Sequence, residues 1–269
     1  MPDIKHNDPI GVFDSGVGGL SVLRELERLL PHENFVFLAD QKYVPYGEKT
    51  KKELIELGLR VTDYFIKNHD IKMMVVACNT STCSSVDEVR KVYLSLSIVG
   101  TVPAVKPAAE NTKTKTIAII STPSTSQSKA LAELIKDNCK NIKVLNVGCK
   151  NLENAVEKGE LQSREVNELL LKYLTGIKNS NADKLVLGCT HYPFLKKPIR
   201  KILGPRVELL DGNKAIAKRA KTLLLRYFLK NRQKKYGKTL YFSTGDAVKF
   251  SKVASKLLKK KVEAKKVKI

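Results

Sequence analysis

Short apolar runs alternate with longer amphipathic stretches from one end of this 269-residue chain to the other. That alternation restricts it to folds in which strands and helices take turns. The runs 10–13, 35–38, 73–77, 98–102, 117–120, 144–147, 185–187, 207–210 and 240–242 read as strands, and 20–30, 51–68 and 85–94 are among the helical patterns between them. A parallel sheet with helices on both faces follows. No low-complexity segment or short-period repeat interrupts the series.

A longer self-similarity narrows the architecture further. Ile10-Gly11-Val12-Phe13-Asp14-Ser15 resembles Ile117-Ala118-Ile119-Ile120-Ser121-Thr122, and Met74-Val75-Val76-Ala77-Cys78-Asn79-Thr80 resembles Lys184-Leu185-Val186-Leu187-Gly188-Cys189-Thr190. Cys78 follows Asp14 by 64 positions and Cys189 follows Ser121 by 68; Gly100 and Asp211 each lie 22 past the cysteine of their half. The halves read as degenerate copies, so the expected fold is α/β, with two similar doubly wound lobes facing each other across a cleft. Ligands of such sheets bind beyond the carboxyl ends of the strands, which places one cysteine on each wall.

Composition bounds the remaining possibilities. A chain of this length that is 42% hydrophobic can fill one large core or two smaller ones, and two are expected. No stretch approaches the roughly 20 apolar residues of a membrane span, and the opening MPDIKHNDP resembles no export signal, so the expectation is a cytoplasmic protein with no membrane partner. Five cysteines at irregular spacings read as free thiols rather than a disulfide framework. The net charge of +22 is concentrated at the end: residues 211–269 hold 19 Lys or Arg against Asp211, Asp246 and Glu263, whereas residues 1–210 hold 30 against 24 acidic residues. A single-sign run of this kind reads as a solvated lysine face that helps collect an anionic substrate. Only Tyr227, Phe228 and Tyr236 are interleaved with its densest part, and no zinc-finger or RNA-recognition motif is present, so nucleic acid is the alternative partner rather than the expected one.

The residues that could do chemistry cluster at strand ends. Cys78 and Cys189 each close an apolar run where a helix should begin, followed by Asn79-Thr80-Ser81 and by Thr190. A helix N-terminus lowers a thiol pKa from its free value of about 8.5, so both are expected to be activated. Asp14-Ser15-Gly16-Val17-Gly18-Gly19 reads as a turn whose N–H groups could receive a carboxylate, although it lacks the three-glycine dinucleotide spacing. Val44-Pro45-Tyr46-Gly47 is a rigid turn, with Tyr46 as a pocket wall or a surface residue. His191, two past Cys189, would point the same way as that thiol in an extended segment. The rival is a Cys3His metal site of Cys78, Cys83, Cys189 and His191, but Cys-x-His is an uncommon zinc spacing. Cys83, Cys139 and Cys149 read as structural.

With these residues in place, the chain resembles the bacterial glutamate racemase family of the aspartate/glutamate racemase superfamily. The resemblance is carried by Gly11-Val12-Phe13-Asp14-Ser15-Gly16-Val17-Gly18-Gly19-Leu20, Pro45-Tyr46-Gly47, Ala77-Cys78-Asn79-Thr80, Leu187-Gly188-Cys189-Thr190-His191-Tyr192-Pro193 and Thr244-Gly245-Asp246. It implies that Cys78 and Cys189 are the paired acid and base, that Asp14 and His191 assist them, and that Glu157 is a further catalytic acid. It assigns substrate binding to Asp14, Ser15, Tyr46, Gly47, Asn79, Thr80, Thr190 and His191. It also implies that the second lobe, 101–210, is inserted into a first lobe made of 1–100 and 211–269. The substrate implied is glutamate, with no cofactor and no metal, D-glutamate for peptidoglycan as the product, and a homodimer as the assembly. The chain departs from the family where 101–107 lacks an acidic residue before proline and where Gly148-Cys149-Lys150-Asn151 replaces a more apolar, proline-containing stretch.

Two thiols suit such a reaction because racemisation removes a proton from one face of the α-carbon and returns one to the other. One must be thiolate while the other is thiol. The side-chain preference is not derivable from residue types. An aspartate racemase of the same superfamily, or a noncatalytic nucleic-acid-binding regulator on this fold, are the alternatives.

Overall fold

The structure is a computed structural model that describes residues 5–269; residues 1–4, part of the opening stretch considered above, lie outside it. Ten strands are β1 (Ile10–Asp14), β2 (Phe35–Ala39), β3 (Met73–Val76), β4 (Ser97–Gly100), β5 (Thr116–Ser121), β6 (Lys143–Gly148), β7 (Lys184–Leu187), β8 (Glu208–Leu210), β9 (Thr239–Ser243) and β10 (Ala264–Lys266). They form two sheets, ordered β10-β9-β2-β1-β3-β4 and β6-β5-β7-β8, and every neighbouring pair is parallel. The orders β2-β1-β3-β4 and β6-β5-β7-β8 are the same, so the repeat seen in the sequence is a repeat of topology. In each, the chain reverses its direction of winding between the first and third strands of the repeat. Asp14 and Cys78 flank that switch point in one sheet, Ser121 and Cys189 in the other, and such a point leaves a crevice at the carboxyl ends of the strands.

The central strands are apolar because both faces are covered. Ile10 and Val12 share a core with Leu20, Leu23 and Leu26 of α1 (Leu20–Leu29), while Phe13, Val36 and Leu38 face Leu54, Leu57, Val61 and Phe65 of α2 (Lys51–His69). Thr50 starts α2 with a reciprocal cap to Glu53, an arrangement worth about 1 kcal/mol. The first of these cores continues through Leu187, Tyr192 and Leu195, so apolar contact joins the two sheets.

Three expectations are corrected. Helix α3 (Asn79–Val92) starts six residues before the expected position 85, because Cys78 caps it and the weak helix formers Asn79, Thr80 and Ser81 form its buried first turn. Strand β10 was absent from the sequence reading: Ala-Lys-Lys carries no apolar signal, and an edge strand paired only to β9 needs none. The runs 73–77 and 207–210 extend one residue past the paired strands because Ala77 and Val207 stay buried beyond the hydrogen-bond ladder, whereas 98–102 overshoots β4 by two residues into polar Thr101 and exposed Val102. No helix among the described residues is long and apolar enough to cross a membrane.

Candidate active site

Ser15, Tyr46, Gly47, Cys78, Asn79, Thr80, Glu157, Cys189, Thr190 and His191 line one cavity between the two sets of strand ends. Asp14, the remaining expected residue, lies fully buried outside that lining.

On one wall, Cys78 sits at the N-terminus of α3, where Ser81 N–H donates to its Sγ at 3.4 Å and its thiol donates to Ser15 Oγ at 3.7 Å. The expected depression of this thiol is not what the geometry gives. Burial, with the nearby Asp14 charge, pushes Cys78 far up, and the bonds from Ser81 and Ser15 only partly oppose this. A 95% buried thiol pays more in desolvation than one helix end returns. The opposite wall is built differently. No α-helix starts at Cys189; a turn leads into a 3-10 segment at Tyr192–Leu195, and His191 has right-handed helical torsions, φ −74° and ψ −35°, rather than the extended ones expected. The turn still brings His191 Nδ1 to 3.6 Å from Cys189 Sγ, and Nε2 lies 2.7 Å from Glu157 Oε1. Burial opposes charge on His191, but its bonds to Cys189 and Glu157 overcome this and hold it well above the ordinary imidazole value. Glu157 is held below its ordinary value, burial being outweighed by His191.

Glu157 also links segments that follow strands of the two sheets. It lies in the helix Leu152–Glu157 and accepts Val17 N–H and Gln41 Nε2–H, each at 2.7 Å, from segments following β1 and β2. Gly16 and Gly18 permit this approach: a Cβ on Gly16 would overlap the Glu157 carboxylate, and one on Gly18 would overlap His191 and Thr190 Oγ1. The glycine turn was expected to offer its N–H groups to a ligand, but the protein uses three of them itself. Gly16 and Gly19 donate to Asp14 Oδ2 at 3.2 and 2.9 Å, and Val17 donates to Glu157. Asp14 Oδ1 accepts from Thr190 Oγ1 at 3.2 Å, tying the turn to the opposite wall. Tyr46 is a pocket wall, its hydroxyl donating to buried Asp40 at 2.6 Å, and Thr244 donates to the other Asp40 oxygen at 2.7 Å. Asp246 accepts Val248 and Lys249 N–H groups as the cap of the helix Ala247–Leu258.

Thr122, Glu153, Asn154 and Gln41 are site residues that the sequence reading passed over. Two had a signal: Thr122 is the repeat partner of Ser15, and Glu153 is one helical turn from Glu157. Thr122 and Thr125 hydroxyls surround Thr80 Oγ1 at 3.1 and 3.2 Å, the position that His191 occupies in the other half. Cys83 lines a separate groove with Arg90 and Leu131, and no cluster of three or more His, Cys, Asp or Glu among the described residues has the geometry for a metal. The five cysteines are unpaired.

The family model for Asp/Glu/Hydantoin racemase matches residues 10–220. Among relatives, a glutamate racemase from Herpetosiphon aurantiacus is 39% identical over 247 residues, covering 92% of this chain and 96% of its own. One from Pseudomonas syringae pv. tomato is 41% identical over 234 residues, 84% of this chain and 85% of its own. Among solved structures, glutamate racemase from Francisella tularensis in complex with D-glutamate superposes with a TM-score of 0.85 at 29% identity and covers 98% of both chains. Escherichia coli glutamate racemase, in complex with L-glutamate and the activator UDP-MurNAc-Ala, gives 0.83 at 27% identity over 93% of this chain and 95% of that one.

Proposed function

The chain belongs to the Asp/Glu/Hydantoin racemase family, and from that premise we propose that it interconverts L- and D-glutamate with Cys78 and Cys189 as the two bases. The observation that carries the reading is the pair of thiols, each at the end of an equivalent strand and each lining the same cavity. His191, held charged by Glu157, directs an N–H toward Cys189 Sγ at 3.6 Å, the donor that a thiol acting as a base in a buried site requires. Cys78, pushed up by burial, is held as a thiol. The resting enzyme is then poised to take the α-proton of one enantiomer with Cys189 and to deliver a proton from Cys78 to the other face; by resemblance that enantiomer is L. The product leaves with the roles of the thiols exchanged.

Other cavity groups fit an amino-acid substrate. Asn79 Oδ1 is buried without a partner and is an acceptor for the substrate ammonium. Thr190 Oγ1, whose proton is given to Asp14, keeps lone pairs for the same group. The N-terminus of α3 supplies dipole and N–H groups for the α-carboxylate, where negative charge builds as the proton leaves. Asp14 acts from beneath by fixing the glycine turn and Thr190. No step requires pyridoxal phosphate or a metal. The reading takes 1–100 with 211–269 as one lobe and 101–210 as the other, which sheet membership supports. It includes D-glutamate for peptidoglycan as the product's use and a homodimer as the assembly.

Polarimetry of the purified protein with L-glutamate tests this. Rotation should decay to zero without added cofactor, and Cys78→Ala and Cys189→Ala should each abolish decay from either enantiomer, because the base for one direction is the acid for the other. Aspartate turned over faster than glutamate would move the chain to the sister branch, and racemisation by either variant would overturn the two-base assignment.

A further inference from the structure

Of the two orphaned polar atoms carried by cavity-lining residues, Asn79 Oδ1 is absorbed by the reading above; Glu153 Oε2 is not. Glu153 lies one turn before Glu157 in the helix Leu152–Glu157, and its Oε2 is buried with no hydrogen-bond partner. A buried carboxyl oxygen without a partner is costly, and in a ligand cavity the missing partner belongs to the ligand. We propose that Glu153 is a specificity-determining residue that donates a hydrogen bond from its protonated carboxyl to the distal carboxylate of the substrate. The inference rests on the racemase reading and adds to it the contact that recognises the acidic side chain.

Burial is what favours the protonated form of Glu153: it raises the pKa against the opposing hydrogen bond from its own backbone N–H and the charge on His191, with smaller upward contributions from Glu48 and from Glu157 on its own helix. Cys149 and Tyr192 also feel Glu153, and both are themselves held protonated by burial. Lys150 at the rim is 3.7 Å from Glu48. An ionised Glu153 would repel an acidic substrate, whereas a protonated one supplies the donor that a carboxylate needs. Glu157 cannot serve in this way, since its oxygens are taken by Val17, His191 and Gln41.

The test is steady-state racemisation of L-glutamate by the wild type, Glu153→Gln and Glu153→Leu over a pH series that begins near the ordinary carboxyl value and runs into the alkaline range. In the wild type, KM should rise as pH increases through the raised pKa of Glu153, because deprotonation removes the donor. Glu153→Gln keeps a donor that cannot ionise, so its KM should stay low and lose that pH dependence. Glu153→Leu should raise KM roughly tenfold with kcat within about twofold, the loss of a bond made to bound substrate throughout the reaction. A wild type that turns over glutamate while Glu153→Leu leaves KM unchanged or lowers it overturns this inference and leaves the racemase reading standing. A wild type inactive on glutamate overturns both. The pH profile and rescue by Gln separate substrate contact from mere support of the helix.

Discussion

Replacing Glu157 with Gln should show how far the Cys189 wall depends on one buried carboxylate. In the native site Glu157 accepts three hydrogen bonds at 2.7 Å, one of them from His191. Glutamine is nearly isosteric and can still accept from Val17 and His191, but it carries no charge and turns an NH2 toward the Gln41 amide. A hydrogen bond to a charged group contributes about 1.5–3 kcal/mol, so losing its charged character should lower kcat/KM by roughly 10- to 100-fold. The sign of the pH effect is fixed by His191. Its pKa is raised in the folded protein, so its charge is present below that value and lost as pH rises through it. Without the Glu157 charge that loss should come at lower pH, moving the alkaline limb of kcat/KM downward. Initial rates by circular dichroism from pH 6 to 10, for both enantiomers, give the profile. A variant with native kcat/KM and an unmoved alkaline limb would refute a charged His191 supported by Glu157.

Gly18→Ala should reduce kcat/KM by at least tenfold and stability by about 1–3 kcal/mol, because the added Cβ would overlap His191 and Thr190; thermal unfolding alongside the assay separates the two effects. Glu33→Ala should cost about 3–5 kcal/mol by urea unfolding while activity per folded molecule persists, since it strands Lys72, which is fully buried and pairs with Glu33 at 2.5 Å far from the cavity. Truncating Lys230, Lys234, Lys235 and Lys238, all exposed, should leave kcat intact and affect only substrate capture in a salt-dependent way; a large fall in kcat with the fold retained would contradict the solvated-face reading.

The parts of the site that were legible in the sequence are those written into strand ends. Cys78 and Cys189 were readable because each terminates an apolar run in matching context, and the repeat predicted that they face one another. Local torsion was less legible: Cys189-Thr190-His191 carries the residues of the site but not the turn that joins them. The direction of the Cys78 shift was illegible because burial is a tertiary quantity, and a helix end is easier to read than the desolvation that outweighs it. Gln41 reaches Glu157 across 116 positions, and nothing in its neighbours marks it. Strand β10 was illegible for the opposite reason, since an exposed edge needs no apolar pattern.

The central claim, two monoprotic thiols on opposite faces of the α-carbon, is tested most directly by racemisation of L-glutamate in deuterated water with early sampling of both enantiomers. The D product should carry solvent deuterium, because its new proton comes from Cys78, while recovered L-glutamate should carry little, because Cys189 returns the proton that it removed. Equal early deuterium in recovered substrate and product would contradict the two-thiol account.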